Sequence, residues 1–556
     1  MFRARQYAIF VVLSAIFLTL FFRLVYLQVF NHEKFKEMAE EQHNTVYRIE
    51  PLRGMISDRF GEPLAINLDT PSIYANPRIM DDKEAAARKL ARILDVDKGV
   101  LIERFRRDKA FVWVKRWVAS QAAERVKRLK LQGIYLVAES KRHYPNDAMA
   151  AHIVGFAGLD NTGLEGIELF HDSKLRGEPG FRYVVRDARS KPILFDEKSS
   201  VPAQNGLNIV LTIDSVIQYI AEEELGAMVK KFNASGASII VMEPSTGKIL
   251  AMASYPGYDL NNFSGAPAAA KKNAAISSVF EPGSVFKIIA ASAALNEGVC
   301  TPDEKFNCEN GSYRIGGRIL SDYHPYGELT FSKVISKSSN IGTAKIARKL
   351  GKKKFCEYIQ KFGFGKMNGI DLPGEVSGIY RSPSGWTPSD MTTIPIGQGI
   401  AVTPLQLACA VSVIANGGNL MRPYVVDHIT SWEGGIVREN RPLLRRRVLK
   451  EETCREMQTI LADVVKNGTG RRARSKVYTM CGKTGTAQMV NKEGGYYKNK
   501  YDATFIGFAP KKNPKISIVV TARDPHPSHF GGTVAAPAFK NIAEKTLEYL
   551  ETNSNE

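Results

Sequence analysis

Glu281-Pro282-Gly283-Ser284-Val285-Phe286-Lys287, continued by the small apolar run IIAASAAL over 288–295, is the segment on which the reading of this 556-residue chain turns. Proline and glycine punctuate a helix start, so Ser284 is expected at a helix N-terminus, where unpaired N–H groups and the helix dipole favour negative charge. Lys287 then falls one turn further on, over the same face. A serine hydroxyl is a weak nucleophile unless a neighbouring base takes its proton, and a desolvated lysine beside another cation can be neutral enough to do so. Taken alone, S-x-x-K reads more readily as a capping serine followed by a solvated lysine. Two distant segments have to decide.

Ser338-Ser339-Asn340 lies between the helical runs FSKVISK and IGTAKIARKL and offers a hydroxyl and a carboxamide from a turn. Alone it is a helix-capping segment. Lys483-Thr484-Gly485-Thr486 comes after VYTMC, Val477 to Cys481, which reads as a strand; the glycines Gly482 and Gly485 are expected to leave the backbone open while the lysine and hydroxyls line it. In the order S-x-x-K, S-x-N, K-T-G, these elements form the set found in penicillin-binding proteins and serine β-lactamases.

The flanking sequence gives that set a fold. Asn208 to Thr212 alternates as a strand, and Asp214 caps a helix with Ile217, Ile220, Leu225 and Met228 on one face. ASIIVME and ILAMASY read as a hairpin turned by Pro244 to Lys248, while 503–509 and 516–522 read as further strands and 535–550 as a closing helix. Thr403 caps and Pro404 opens a helix that stops at Gly417 and Gly418. Strands at both ends around a helical insert predict an α+β fold with one antiparallel sheet between helices. Upstream of the texture change at residues 201–208, short alternating runs and a basic helical stretch from Ser120 to Leu131 read as an elongated α+β module with no concentrated chemistry.

At the N-terminus, Tyr7 to Phe22 is almost wholly apolar and continues past Arg23 as LVYLQVF, near the ~20 residues that cross a bilayer. It is too long for the apolar region of a cleaved signal peptide and lacks a small-x-small site, so an uncleaved anchor is expected. Arg3 and Arg5 point to a cytoplasmic N-terminus with the body outside, although Lys34 and Lys36 reduce the asymmetry.

At this length one core is insufficient, and 44% hydrophobic with 24% charged residues is an ordinary globular composition. The net charge of +19 suits polyanions in general. The clusters Arg445 to Arg447 and Arg471, Arg472, Arg474 lack interleaved aromatics and read as solvated faces, so nucleic acid is not an expected partner. Six cysteines and nine histidines show no metal-ligand spacing, and neither a metal nor a cofactor is expected. Cys300 and Cys308 flank a short loop and are either a disulfide or free buried thiols.

With those motifs, the stretches RGMISDRFGEPLA (53–65), KRHYPNDAMAAHIVGF (141–156), GLEGIE (163–168), IGQGIAVTPLQLA (396–408) and ATFIGFAP (503–510) make nearly the whole chain resemble a class B, monofunctional penicillin-binding protein. KSSNIGTAKIA and the short N-terminal module resemble the division-specific, septal branch more than the elongation branch. Val285 departs from a usual threonine, His143 from a frequent tyrosine and Cys481 from a small residue; no reacting group is missing.

The resemblance implies three parts: residues 1–35 as cytoplasmic tip and single transmembrane helix, 36–205 as the dimerisation or pedestal module, and 206–556 as the transpeptidase domain, a five-stranded antiparallel sheet sandwiched by helices plus an all-helical subdomain. It also implies a serine D,D-transpeptidase of the inner membrane, its bulk periplasmic. Ser284 would attack the penultimate D-Ala carbonyl, Lys287 would act as base, Ser338 would relay a proton, and Lys483 would keep the site electropositive. Asn340 would hold the substrate amide, Thr484 and Thr486 its carboxylate, Gly485 would lie along the substrate strand, and the backbone N–H groups of Ser284 and Thr486 would form the oxyanion hole. Implied partners are stem peptides of nascent glycan made from lipid II, a polytopic membrane glycan polymerase, other divisome proteins and β-lactam inhibitors. A β-lactamase or D,D-carboxypeptidase shares the motifs but not the N-terminal module. An elongation transpeptidase and a non-catalytic divisome scaffold are the alternative roles.

Overall fold

The computed structural model describes residues 2–186, 192–315, 318–387, 389–491 and 493–553. It forms two compact units, residues 1–52 with 176–206 and residues 53–175 with 207–556. In the first, the apolar N-terminal run is one helix over Phe2–Val25, extended by a further turn to Phe30 with no part of it buried. Among the described residues it is the helix long and apolar enough to cross a membrane. Strands Asn44–Ile49, Gly180–Arg186 and Pro192–Val201 form an antiparallel sheet in the same unit.

The second unit is organised by five antiparallel strands: β1 (Gly236–Met242), β2 (Ile249–Tyr255), β3 (Cys481–Val490), β4 (Tyr496–Ala509) and β5 (Ile516–Arg523), in the order β2-β1-β5-β4-β3. Both faces are covered, which is why neighbouring residues in β1 are alike in polarity rather than alternating. Ile239 and Val241 enter one core with Ile518, Val520 and the helices Ser215–Phe232 and Gly531–Asn553, while Ile240 and Met242 enter another with Val519 and the helix Pro404–Ala415. Each fully buried Ile or Val contributes about 1.5–3 kcal/mol relative to exposure. Helix starts are fixed as the sequence predicts: the Asp214 carboxylate accepts from Val216 N and Ile217 N, and Thr403 with Gln406 forms a reciprocal capping box.

One expectation fails. Val477 to Met480 are not a strand; β3 begins at Cys481 and runs through Lys483 to Thr486 itself. The alternation in VYTMC misleads because Val477 is exposed, whereas Gly482 and Gly485 are strand residues kept small by contact. A Cβ on Gly482 would lie 2.5 Å from the Phe505 ring, and one on Gly485 2.8 Å from Pro282 O.

A second sheet ties the upstream sequence to the rest of this unit. Ile56–Ser57 pairs in parallel with Asn208–Leu211, which pairs with Val426–Thr430; on its other side it continues into Pro63–Ala75, Val112–Lys115 and Ile134–His143. Beneath it Arg53, 1% exposed, bonds to Glu168 (2.5 Å), Asp172 (2.7 Å) and Asn161 O (2.9 Å), and Arg142 closes on the other Glu168 oxygen at 2.6 Å. The stretches 53–65, 141–156 and 163–168 therefore meet in one buried ion cluster.

Candidate active site

The three motifs converge at the free edge of β3. Gly283–Phe286 is a tight turn leading into the helix Lys287–Asn296, and Gly283 has φ +56°, backbone that favours glycine. It is wedged between β3 and the 396–399 loop: a Cβ on Gly283 would sit 2.7 Å from Thr486 O, and one on Gly397 (φ +82°) 2.1 Å from Gly283 O. Gly283 N donates to Gly397 O at 3.1 Å, and Gly399 N to Glu281 at 2.7 Å. This packing holds Ser284, half-buried, beside the strand.

Lys287 is wholly buried. Its ammonium donates to Ser338 O (2.6 Å), Asn340 Oδ1 (2.7 Å) and Ser338 Oγ (3.2 Å). Lys483, equally buried, donates to the same Ser338 Oγ at 2.9 Å and to Thr484 O at 3.1 Å. Ser338 presents both oxygens inward because its backbone is left-handed, φ +63°, an uncommon conformation for a residue with a Cβ. Ser339 is buried and caps the next helix, accepting from Gly342 N at 2.9 Å.

Burial dominates the electrostatics. It pushes the Lys287 ammonium down to about 7, with Asp322 opposing, and it pushes Lys483 far below the ordinary lysine range, with the Lys287 charge adding to the effect. Two cations in one dry pocket disfavour each other, so the cleft holds a single proton between the lysines more easily than two.

Along β3, Thr484 Oγ1 and Thr469 Oγ1 are 2.7 Å apart, and Thr486 Oγ1 accepts from Gly531 N at 3.2 Å. Two rings rise from opposite walls: Tyr323, which follows the Asp322 anchor of the S-S-N turn, and Phe530, which precedes Gly531, with centroids 5.8 Å apart. His529 stacks on Tyr501 at 4.1 Å.

The structure thus brings Ser284, Lys287, Ser338, Asn340, Lys483, Thr484, Gly485 and Thr486 to one place. Sequence reasoning did not find Asp322, whose carboxylate accepts from Ser339 Oγ (2.5 Å), Asn340 N and Ile341 N (3.1 Å) and so fixes the S-S-N turn. Nor did it find Thr469, Gly397 or Phe530. Nothing in a single sequence says which carboxylate lies under which turn. All six cysteines, Cys300 and Cys308 included, are free and buried.

Comparison with known proteins matches nearly the whole chain. Residues 237–544 match the penicillin binding protein transpeptidase domain and residues 48–211 the penicillin-binding protein dimerisation domain. The chain is 35% identical to stage V sporulation protein D of Bacillus subtilis, covering 98% of this chain and 86% of that protein. It is 34% identical to the peptidoglycan D,D-transpeptidase FtsI of Escherichia coli K12, covering 95% and 89%. Among solved structures, it is similar to penicillin binding protein 3 of Mycobacterium tuberculosis, determined free and with ampicillin, at TM-score 0.72 and 28% identity, covering 91% of this chain and at least 96% of that one.

Proposed function

The chain belongs to the class B penicillin-binding proteins of the division type, and we propose that its cleft cross-links peptidoglycan stem peptides through an acyl-enzyme on Ser284. The observation that carries this reading is the convergence of Lys287 and Lys483 on Ser338 Oγ beside the Ser284 turn. In the first step the Ser284 proton passes to Lys287 as the Oγ–C bond to the penultimate D-Ala forms. The C–N bond to the terminal D-Ala then breaks, and Ser338 relays the proton taken up by Lys287 to the departing amine. In the second step an amine of a neighbouring stem peptide attacks the ester, the C–O bond to Ser284 breaks, and the proton lost by the amine returns to Ser284 Oγ. Asn340 orients the donor amide, Thr484 and Thr486 receive its carboxylate, and Gly485 admits the peptide alongside β3. The N–H groups of Ser284 and Thr486 stabilise the oxyanion, a contribution of about 3–4 kcal/mol per donor where it has been measured in a serine protease.

The working parts are the anchor (1–35), the pedestal module (36–205) and the transpeptidase domain (206–556). The helix Phe2–Phe30 crosses the inner membrane with Arg3 and Arg5 in the cytoplasm and the body in the periplasm. A polytopic polymerase supplies glycan from lipid II, the other divisome proteins set time and place, and the role is septal, as the names of the FtsI relatives suggest. β-Lactams acylate the same serine.

Mass spectrometry of a penicillin adduct tests the reading. One adduct on the peptide carrying Ser284, lost in Ser284→Ala, is expected; an adduct elsewhere, or none, overturns it. Supplied with lipid II and a glycan polymerase, the protein should form dimeric muropeptides. Free D-Ala without dimers would make it a carboxypeptidase.

A further inference from the structure

Asp322 sits behind the cleft and touches neither lysine, yet it is joined to Lys287 through a single residue. Its Oδ1 accepts from Asn340 N and Ile341 N, its Oδ2 from Ser339 Oγ, and Asn340 Oδ1 in turn receives the Lys287 ammonium at 2.7 Å. A carboxylate held by three donors to the turn that accepts a buried cation has two consequences. It fixes the acceptors, and its charge favours the protonated form of that cation.

The other charged and titratable groups around these residues do not take over that task. Of the three cations on the helix that follows the turn, Lys345 is engaged by Glu309 at 2.5 Å and by Asn307 O at 2.7 Å, Arg348 by the Tyr313 hydroxyl at 3.0 Å and Lys349 by Glu304. The Cys308 thiol, 3.3 Å from Ser339 Oγ, and the Tyr326 hydroxyl are both pushed upward, mainly by burial and additionally by Asp322, so both stay protonated at neutral pH. From the strand side Lys287 faces Lys483, a second cation. Among the described residues Asp322 is the carboxylate that acts on Lys287, whereas the partners of Lys483 are the neutral Ser338 Oγ and Thr484 O.

We propose that Asp322 is a positioning residue that holds the cleft's positive charge on Lys287 rather than Lys483, and thereby sets the pH above which Ser284 can be acylated. The proposal rests on the reading of Lys287 as the base. In the resting cleft the proton lies on Lys287, whose three hydrogen bonds all run to acceptors. It must leave before Lys287 can take the Ser284 proton. Acylation then proceeds as Oγ–C bond formation with transfer of that proton to Nζ, followed by rupture of the lactam C–N bond and protonation of the released nitrogen.

The test is the second-order acylation rate of the detergent-solubilised full chain by a fluorescent penicillin, measured from about pH 5 to about pH 9. For the native protein the rate should fall on the acid side with a midpoint near 7. Asp322→Asn keeps an acceptor for the turn and removes the charge, so the midpoint should move down by about half a unit or more, making the variant relatively faster below neutrality. Asp322→Glu keeps the charge, and its midpoint should stay near the native value even if its plateau rate drops. If Asp322→Asn does not fold, Asp322→Ser, which lets water replace the carboxylate, gives the same reading. A midpoint unmoved in the uncharged variant, with only a lower plateau, makes Asp322 a structural support and overturns the proposal. A native protein that shows no acylation, or no acid limb, instead removes the reading of Lys287 on which it stands.

Discussion

Lys287 and Lys483, 196 positions apart in the chain, point their ammonium groups at one atom, Ser338 Oγ, from 3.2 and 2.9 Å, and neither has any exposed surface. Such a pair opposes folding when charged, and its cost depends on pH. Both groups deprotonate more easily in the folded chain than in the unfolded one. From about 7, where folded Lys287 titrates, up to the ordinary lysine value near ~10.4, the unfolded chain therefore binds more protons, and stability rises with pH across that window. Lys287→Met should flatten the rise in Tm between about pH 7 and about pH 9 while abolishing penicillin labelling. A variant whose Tm climbs as steeply as the native protein's would show that Lys287 keeps an ordinary proton affinity.

Gly397 supports the nucleophile from behind. Its φ of +82° alone costs a residue with a Cβ about 1–2 kcal/mol, and the added carbon would meet Gly283 O at 2.1 Å. The 282–284 turn cannot give way, since β3 closes its other side. Gly397→Ala should therefore slow acylation by about 10²-fold, as a displacement near 1 Å does to a positioned nucleophile. Binding of a non-reactive substrate analogue should fall much less. A variant with native acylation kinetics would mean that the turn is not held by this contact.

These two cases mark how far the sequence could be read. Ser284, Lys287, Ser338 and Lys483 were legible because each motif couples a reactive side chain to local punctuation, Pro282-Gly283 before the serine and glycines around the lysine. The hairpin of β1 and β2 was legible from its turn residues and continuous apolar runs. The start of β3 was not legible, because the alternation in VYTMC is not matched by burial of Val477, and the contacts with Phe505 and Pro282 that keep Gly482 and Gly485 small are made only in the folded sheet. Asp322, Thr469 and Gly397 act through contacts made by tertiary packing. Local pattern carries no trace of a carboxylate under a turn 17 residues away or of one glycine pressed on another.

Arg53 offers a test remote from the cleft. Its guanidinium is buried against Glu168 and Asp172, with Arg142 sharing Glu168. Removing one member of a buried ion network leaves the others uncompensated, typically at about 3–5 kcal/mol. Arg53→Met should lower Tm by several degrees, and Arg53→Glu, which adds a third carboxylate to the site, by more. At a temperature where the Met variant remains folded its acylation rate should match the native rate, since the cluster lies in the 53–175 segment and shares no hydrogen bond with Lys287 or Lys483. A selective loss of acylation with unchanged Tm would instead place Arg53 in communication with the cleft.

Phe530 and Tyr323 stand on opposite walls of the cleft with their rings 5.8 Å apart, edge to face, and both are exposed, by 41% and 79%. Each is tied to a reactive element through its neighbour, Phe530 through Gly531 N on Thr486 Oγ1 and Tyr323 through Asp322 under the S-S-N turn. Phe530 has no group that could move a proton, and the contact between the two rings is edge to face, so together they shape the entrance. Truncating one should weaken capture of donors or β-lactams with bulky apolar side chains more than the bond-making step. An aromatic contact of this size contributes about 0.5–1.5 kcal/mol beyond area burial, so Phe530→Ala should reduce the second-order acylation constant by about 10-fold for a bulky penicillin. It should leave the limiting first-order rate nearly unchanged, and the effect should shrink for a β-lactam with a small side chain. A fall confined to the first-order rate would mean that Phe530 positions Gly531 and Thr486 rather than the substrate, and Phe530→Leu, which keeps bulk without the ring, would then behave as the native protein.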